Sequence, residues 1–395
     1  MRIAYVCTDQ GIPVFGRKGC SIHVQEVVRA FAGMGMEVQL FSPRAEGAQP
    51  PGLGNVRVFE LGGLAGCDRA AREQAAIAAN DRLRAALECA GRFDVVYERY
   101  SLWSFAGMEY ARAAGVPGLL EVNAPLIEEQ AEHRGLVDRA GALGVAERVF
   151  AAAHILIAVS AEVKRYLEQY PGAAGRIHVI QNGVNPERFP VDLAASRPSP
   201  PGTFTLGFVG SLKPWHGLAT LAEAFALFHR RIPNSRLLIV GDGPERARFL
   251  DDLSARGLTE AATFTGSVAA KEVPGLLASM DVGLAPYPPS QGFYFSPLKV
   301  YEYMAAGLAV VASRIGQLAD LIEPGVNGLL CPPGDAPAVA AALERLHRDS
   351  AWRERLGQAA RTTVLGQHTW DQVARRIVDL AKRTTIPVGV SALLW

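Results

Sequence analysis

Short runs of β-branched and other apolar residues alternate along this chain with longer segments in which apolar positions recur every three or four residues. Buried parallel strands read as continuous apolar runs and their crossover helices as amphipathic ones, so the alternation predicts βαβ units around parallel sheets. A first series of strands is predicted at Ile3–Val6, Val38–Phe41, Val95–Tyr97, Leu119–Val122, Ile155–Val159 and His178–Ile180. A second series comprises Thr205–Val209, Leu237–Val240, Thr263–Thr265, Val282–Ala285 and Val310–Ala312. Between them, the proline density of Ser196-Arg-Pro-Ser-Pro-Pro-Gly202 disfavours helix and central strand and marks a linker. Helical periodicity returns over Trp370 to Arg383 and stops at Thr384-Thr-Ile-Pro387. The expectation is an α/β chain of two Rossmann-like domains.

Composition narrows the class. A length of 395 residues, 49% of them hydrophobic and 20% charged, suits two well-packed α/β domains rather than one core. The net charge of +1 argues against a general nucleic-acid binder, which needs a basic stripe to neutralise phosphates. Cys7, Cys20, Cys67, Cys89 and Cys331 are scattered without metal-ligand spacing, so free thiols and no bound metal are expected. Met1 leads straight into a strand, and no apolar run approaches the roughly 18 residues of a membrane span. A cytoplasmic protein with at most peripheral membrane contact is the expectation. The charged run from Arg69 to Arg84 reads as a solvated helix face.

In doubly wound sheets, ligands bind beyond the carboxyl ends of the strands, which directs attention to turns such as Gly210-Ser-Leu-Lys-Pro-Trp-His-Gly217 and Gly241-Asp-Gly-Pro244. The most informative stretch runs from Phe293 to Ala312. Pro297 suits the first turn of a helix, leaving the amides of Leu298 and Lys299 without intrahelical partners. Free amides at a positive dipole end, with the charge of Lys299 beside them, make a phosphate site. Glu302 lies one turn deeper on the same face, where a carboxylate can accept two hydrogen bonds from a ribose diol. It can equally serve as a first-turn glutamate that complements the helix dipole. Met304-Ala-Ala-Gly307 reads as packing and helix termination.

This stretch resembles the family-4 glycosyltransferases of the GT-B fold, in which two Rossmann-like domains face each other across a cleft; the resemblance implies domains at residues 1–183 and 184–369, with a final helix at about 370–395 packing back on the first. The likeness extends over the opening strand and glycine loop, Glu121-Val-Asn-Ala-Pro125, Asn182-Gly-Val-Asn-Pro-Glu-Arg-Phe189, both turns above and Phe264-Thr-Gly-Ser-Val268. It implies retaining, metal-independent transfer of a hexose-type sugar from a UDP- or GDP-sugar to a hydroxyl acceptor, with no other cofactor. Among donor contacts it implies the glycine loop at Gly16 and Gly19, the turn at Gly210 and Ser211, backbone near Val268 at the base, and Tyr294, Phe295 and Ser296. Leu298 and Lys299 would meet phosphate and Glu302 the ribose. Catalytic support would come from Lys299, Lys213, His216 and Asn123. Arg99, Glu128 and Arg134 fall in loops where the family places its acceptor.

The chain also departs from the family pattern. Tyr294 stands eight positions before Glu302 in place of a first glutamate, and Ser211 and His216 stand where arginine and lysine are common. Asn123 replaces a histidine near the reacting face; its amide can orient hydroxyls but cannot serve as a general base. These departures keep open a non-catalytic nucleotide-sugar-binding protein as the alternative. An NAD-dependent oxidoreductase is disfavoured, because no Gly-x-Gly-x-x-Gly follows the first strand. His23 in Ser21-Ile-His-Val24 reads as support for the first helix.

Overall fold

The computed structural model describes residues 1–64, 68–290 and 292–384, and the chain divides into two compact units. The first contains Met1–Gln181, Tyr294–Ser296 and the chain from Trp370; the second contains Asn182–Phe293 and Pro297–Thr369. Ser196 to Gly202 therefore lies inside the second unit and is not the connection between units. Its backbone is held there by Ser196 N–H donating to Gly275 O and Arg197 N–H donating to Ser279 Oγ, each at 2.9 Å. Proline excluded regular structure from this stretch, but hydrogen bonds still fix it in place.

The first unit is built on a parallel sheet of β1 (Arg2–Val6), β2 (Glu37–Ser42), β3 (Arg57–Glu60), β4 (Val95–Arg99), β5 (Gly118–Val122), β6 (Ile155–Ala158) and β7 (Ile177–Val179), ordered 3-2-1-4-5-6-7. The second repeats the plan with β8 (Phe204–Val209), β9 (Ser235–Val240), β10 (Ala262–Phe264), β11 (Val282–Ala285), β12 (Ala309–Ser313) and β13 (Leu329–Cys331), ordered 10-9-8-11-12-13. β3 and β13 are the strands that the sequence pattern does not predict: both lie at a sheet edge, and β3 has charged residues at both ends, as edge strands often do. β5, β8 and β12 are buried at every position, which requires helices on both faces.

The helices of the first unit are α1 (Gly19–Gly33), α2 (Arg69–Ala90), α3 (Ala106–Ala114), α4 (Leu126–His133), α5 (Arg139–Ala152) and α6 (Ala161–Leu167). Those of the second are α7 (Leu218–Arg231), α8 (Arg246–Ala255), α9 (Val273–Leu277), α10 (Leu298–Ala305), α11 (Leu318–Leu321), α12 (Ala336–Arg348) and α13 (Ser350–Gln367). The chain then returns to the first unit as α14 (Trp370–Arg383), which packs on α1 with Trp370 meeting His23 edge to face. Each unit has its own apolar core. In each sheet the strand order reverses once, between β1 and β4 and between β8 and β11. Turns on either side of such a reversal diverge and leave room for a ligand.

Candidate functional site

In the second unit the reversal brings together the turn after β8 and the helix that follows β11. The turn opens at Gly210, with φ of 140°, and packs backbone against backbone on the turn after β9. A side-chain carbon at Gly241 would lie 2.1 Å from Gly210 O, so that glycine is required by packing rather than by chemistry. A carbon added at Gly210 would come within 3.1 Å of Lys299 Nζ. The Lys299 side chain thus runs directly beneath the turn. It is 8% exposed, and its Nζ lies 3.9 Å from the Phe208 ring centre and 5.5 Å from that of Tyr287. Nζ is shielded from solvent and has no hydrogen-bond partner among the described residues. Burial pushes its pKa down to about 7.

The helix carrying Lys299 starts, like α7, α8, α9 and α11 of the same unit, without a side-chain cap. Asp68 caps α2, Ser160 caps α6 and Asp335 caps α12, each accepting a backbone N–H. Pro297 occupies the cap position of α10, just before the first helical residue rather than within the first turn, and gives no side-chain hydrogen bond. Val300 N–H, reaching Pro297 O at 3.0 Å, is the first to turn inward, so the amides of Leu298 and Lys299 precede the helix's own bonding. One turn in, Glu302 Oε1 receives Arg188 Nη1 at 2.8 Å, with both side chains 17% exposed. Arg188 Nη2 also donates to Ala270 O at 2.9 Å, tying the carboxylate to the turn that contains Val268. Glu302 Oε2 has no such partner among the described residues. Arg188 lies in a quoted motif yet was not singled out, because nothing in its sequence position reveals a partner 114 residues away.

In the free protein His216 is bound into the Gly210 turn. Its Nδ1–H donates to Ser211 O, and burial, together with Lys299, pushes its pKa down to about 2. The imidazole is neutral and holds the turn closed. Ser211 is exposed, and Lys213 Nζ lies 5.7 Å from the Trp215 ring centre.

In the first unit, Gly16 N–H closes a turn on Pro13 O at 2.8 Å, and the buried Gln25 amide donates to Val14 O and Gly16 O at 2.9 Å each. Gly19 then opens α1 with no atom within 4 Å of where a side chain would start. Behind this loop sits a buried polar knot around Glu121. It accepts from the Tyr97 hydroxyl, the Asn123 amide, His23 Nε2 at 3.1 Å and Arg99 Nη1 at 3.3 Å. Arg99 can only donate, so His23 Nδ1, 3.2 Å away, accepts and Nε2 carries the hydrogen.

Arg99 is therefore the last residue of β4 and part of this knot, not an open acceptor loop. Glu128 sits in α4 and faces Arg139 at 3.5 Å, again helix rather than loop. Arg134 caps the end of α4 and pairs with Glu129 at 2.8 Å. Tyr294, Phe295 and Ser296 group with the first unit. The Tyr294 ring packs on that unit's core, its hydroxyl donates to Glu129 Oε2 at 3.1 Å, and its carbonyl accepts from Ser160 Oγ at 2.9 Å. Phe295 packs against the Tyr294 ring at 4.3 Å between centres. In this conformation the Tyr294 hydroxyl is committed to a carboxylate.

Among the described residues, Cys7, Cys20, Cys89 and Cys331 are free thiols, and no cluster of His, Cys, Asp or Glu is arranged to hold a metal; Cys67 lies outside the described residues. No described helix is long and apolar enough to cross a membrane.

A family model described as "Glycosyltransferase Family 4" matches residues 17–188, and one described as "Glycosyl transferases group 1" matches residues 203–349. A D-inositol 3-phosphate glycosyltransferase of Stackebrandtia nassauensis is 28% identical over 93% of this chain and 88% of its own length. A glycogen synthase of Mycobacterium tuberculosis is 31% identical over 52% of this chain and 47% of its own. Among solved structures, sucrose-phosphate synthase of Thermosynechococcus elongatus superposes with a TM-score of 0.73 at 23% identity, covering 97% of this chain and 98% of its own. Anabaena HepE in complex with UDP and glucose gives 0.72 at 18% identity, covering 97% and 99%. These last two likenesses concern the fold.

Proposed function

Because this chain belongs to the family-4 glycosyltransferases, we propose that it moves a hexose-type sugar from a UDP- or GDP-sugar to a hydroxyl acceptor, with retention at the anomeric carbon and without a metal ion. The observation that carries the donor half is Lys299: a buried amine with no acceptor, under the Gly210 turn, on a helix whose first amides are uncapped. An unpaired cation in an apolar cage is costly, and a diphosphate offers what the cage lacks. On this reading Nζ swings out past Gly210 to the leaving diphosphate while the Leu298 and Lys299 amides meet its oxygens. Glu302 Oε2 takes the ribose diol with Oε1 steadied by Arg188, and the backbone around Val268 reads the base.

Asn123 and the neutral His216 offer no strong base, which suits a front-face reaction. The acceptor oxygen bonds to the anomeric carbon as the bond to the phosphate oxygen breaks, and that departing oxygen takes the acceptor's proton. Lys299, Lys213 and the helix amides supply the positive potential for the charge released.

The test is to incubate the protein with UDP- and GDP-sugars and to follow nucleotide diphosphate release with and without acceptor extracts. Release that depends on acceptor is expected. Tight nucleotide binding without turnover would favour the non-catalytic alternative, which the neutral His216 and the committed Tyr294 hydroxyl keep in play. Absence of nucleotide affinity would defeat both.

A further inference from the structure

At the carboxyl end of the first sheet lies an open pocket of about 440 Å³, large enough for a sugar-sized molecule. It is lined by the turns after β1, β2, β3 and β4, by α4 with Arg134 at its end, and by one face of α2. Four guanidinium groups border it, from Arg69, Arg72, Arg82 and Arg134, against the carboxylates of Asp9, Glu73 and Glu129. The helix face that reads as merely solvated in sequence is thus also a pocket wall.

The carboxylates are already engaged. Glu73 is 6% exposed and accepts Val137 N–H and Asp138 N–H at 3.0 and 2.9 Å. Glu129 is shared between Arg134 and Tyr294, and Asp9 accepts Gly11 N–H at 2.7 Å. Of the arginines, Arg134 is paired and Arg82 donates to Leu61 O at 3.1 Å. Arg69 and Arg72, one turn apart on α2, have no side-chain hydrogen bond or ion pair among the described residues. Arg69 lies so close to Gly135, whose φ is 79°, that a side chain there would start 2.3 Å from its Nη1. Four guanidinium groups against three carboxylates leave the wall net positive, and the exposed Arg69 and Arg72, on one face of α2, are its two cations without an ion-pair partner among the described residues.

We propose that this pocket takes the acceptor, and that the acceptor is a sugar or polyol bearing a phosphate or carboxylate that docks on Arg69 and Arg72. The identification as acceptor rests on the transferase reading above. A planar guanidinium matches either oxyanion through paired N–H groups, and Trp103 with Leu102 and Leu126 gives the carbon frame an apolar wall.

The experiment titrates the full chain calorimetrically, with and without saturating UDP, with glucose 6-phosphate, glucuronate and glucose. At least one charged probe should bind about tenfold or more tightly than glucose, the worth of a charge-assisted contact, with an advantage that shrinks as salt rises from about 50 to about 500 mM. The paired substitution Arg69→Gln/Arg72→Gln should bring the preference below about threefold with UDP affinity unchanged. Arg92→Gln, the same charge change outside the pocket, should leave the preference intact. Which charged probe wins separates phosphate from carboxylate. Equal binding of glucose, no binding of either charged probe, or a preference that survives the paired substitution overturns the inference while leaving a chain that binds UDP as a transferase. A charged preference without UDP binding would instead defeat the nucleotide reading and leave an anion pocket.

Discussion

The two units share one sheet plan, yet each buries charge beside its strand-order reversal in an opposite way. In the first, burial pushes the Glu121 carboxyl up, but His23, Arg99 and hydrogen bonds from Tyr97 and Asn123 together hold it below the usual carboxylate range. In the second, Lys299 is equally buried and meets only the faces of Phe208 and Tyr287. A charge whose partners are all in the protein contributes to the scaffold and loses stability when a partner is removed. A charge without one is a standing cost, which is retained when a ligand supplies the partner. The contrast separates a paired buried charge from an unpaired one, which on the proposed reading awaits its ligand.

The largest expected effect tests the scaffold side. Glu121→Ala strands Arg99 in the interior and should cost about 3–5 kcal/mol of folding stability in a denaturant titration. A loss under about 1 kcal/mol would mean that the knot is not structural. Because the folded carboxyl titrates lower than an unfolded one, this contribution is present above the unfolded value near 4.3 and is lost as pH falls through the folded value.

Lys299→Met should act in two directions at once. Transfer should fall by about 10²- to 10³-fold, as when a group facing developing negative charge is removed. The folded state should gain about 1–2 kcal/mol near neutral pH, read by thermal melting, because a lone buried ammonium is replaced by an apolar chain. The sign follows from a lysine that titrates lower folded, at about 7, than unfolded, near 10.4. Its cost is full below about pH 7 and vanishes above the unfolded value. A variant that loses stability instead would place Lys299 on the scaffold side.

Glu302→Ala should weaken nucleotide diphosphate binding by about 1.5–3 kcal/mol in calorimetry. Arg188→Gln should cost less, about 1 kcal/mol, and show chiefly as a narrower gap between UDP and 2′-deoxy-UDP, since Arg188 orients the carboxylate without touching the ligand. An unchanged gap would detach Arg188 from the ribose.

The smallest effect is in pH. If the diphosphate draws a proton onto Lys299, affinity should fall by up to about tenfold per unit as pH rises above about 7, with measurable proton uptake on binding in buffers of different ionisation enthalpy. A flat profile would mean that Nζ stays in its cage.

Much of this was legible in the chain itself. Apolar runs such as Val282–Ala285 and the periodicity of Trp370 to Arg383 are local signals, and they located β11 and α14 at those residues. Proline before a run of helix formers located the α10 tip, and Gly210 marked the turn opposite it. The motifs did not reveal which side chains answer one another. Nothing in the order of residues shows that His216 is buried beside Lys299, which favours its neutral form. Arg99 looked like a loop residue until Glu121 and His23 were found against it.

What the sequence determined alone was the doubly wound plan of each unit, its turns and the start of α10, because hydrophobic period, proline and glycine act on the residues next to them. Tertiary structure decided which charges are paired: Arg188 with Glu302, Glu129 with Arg134 and Tyr294, and Lys299, Arg69 and Arg72 with nothing in the described chain. Pairing depends on distance and burial in space, and these are properties of residues far apart in the chain.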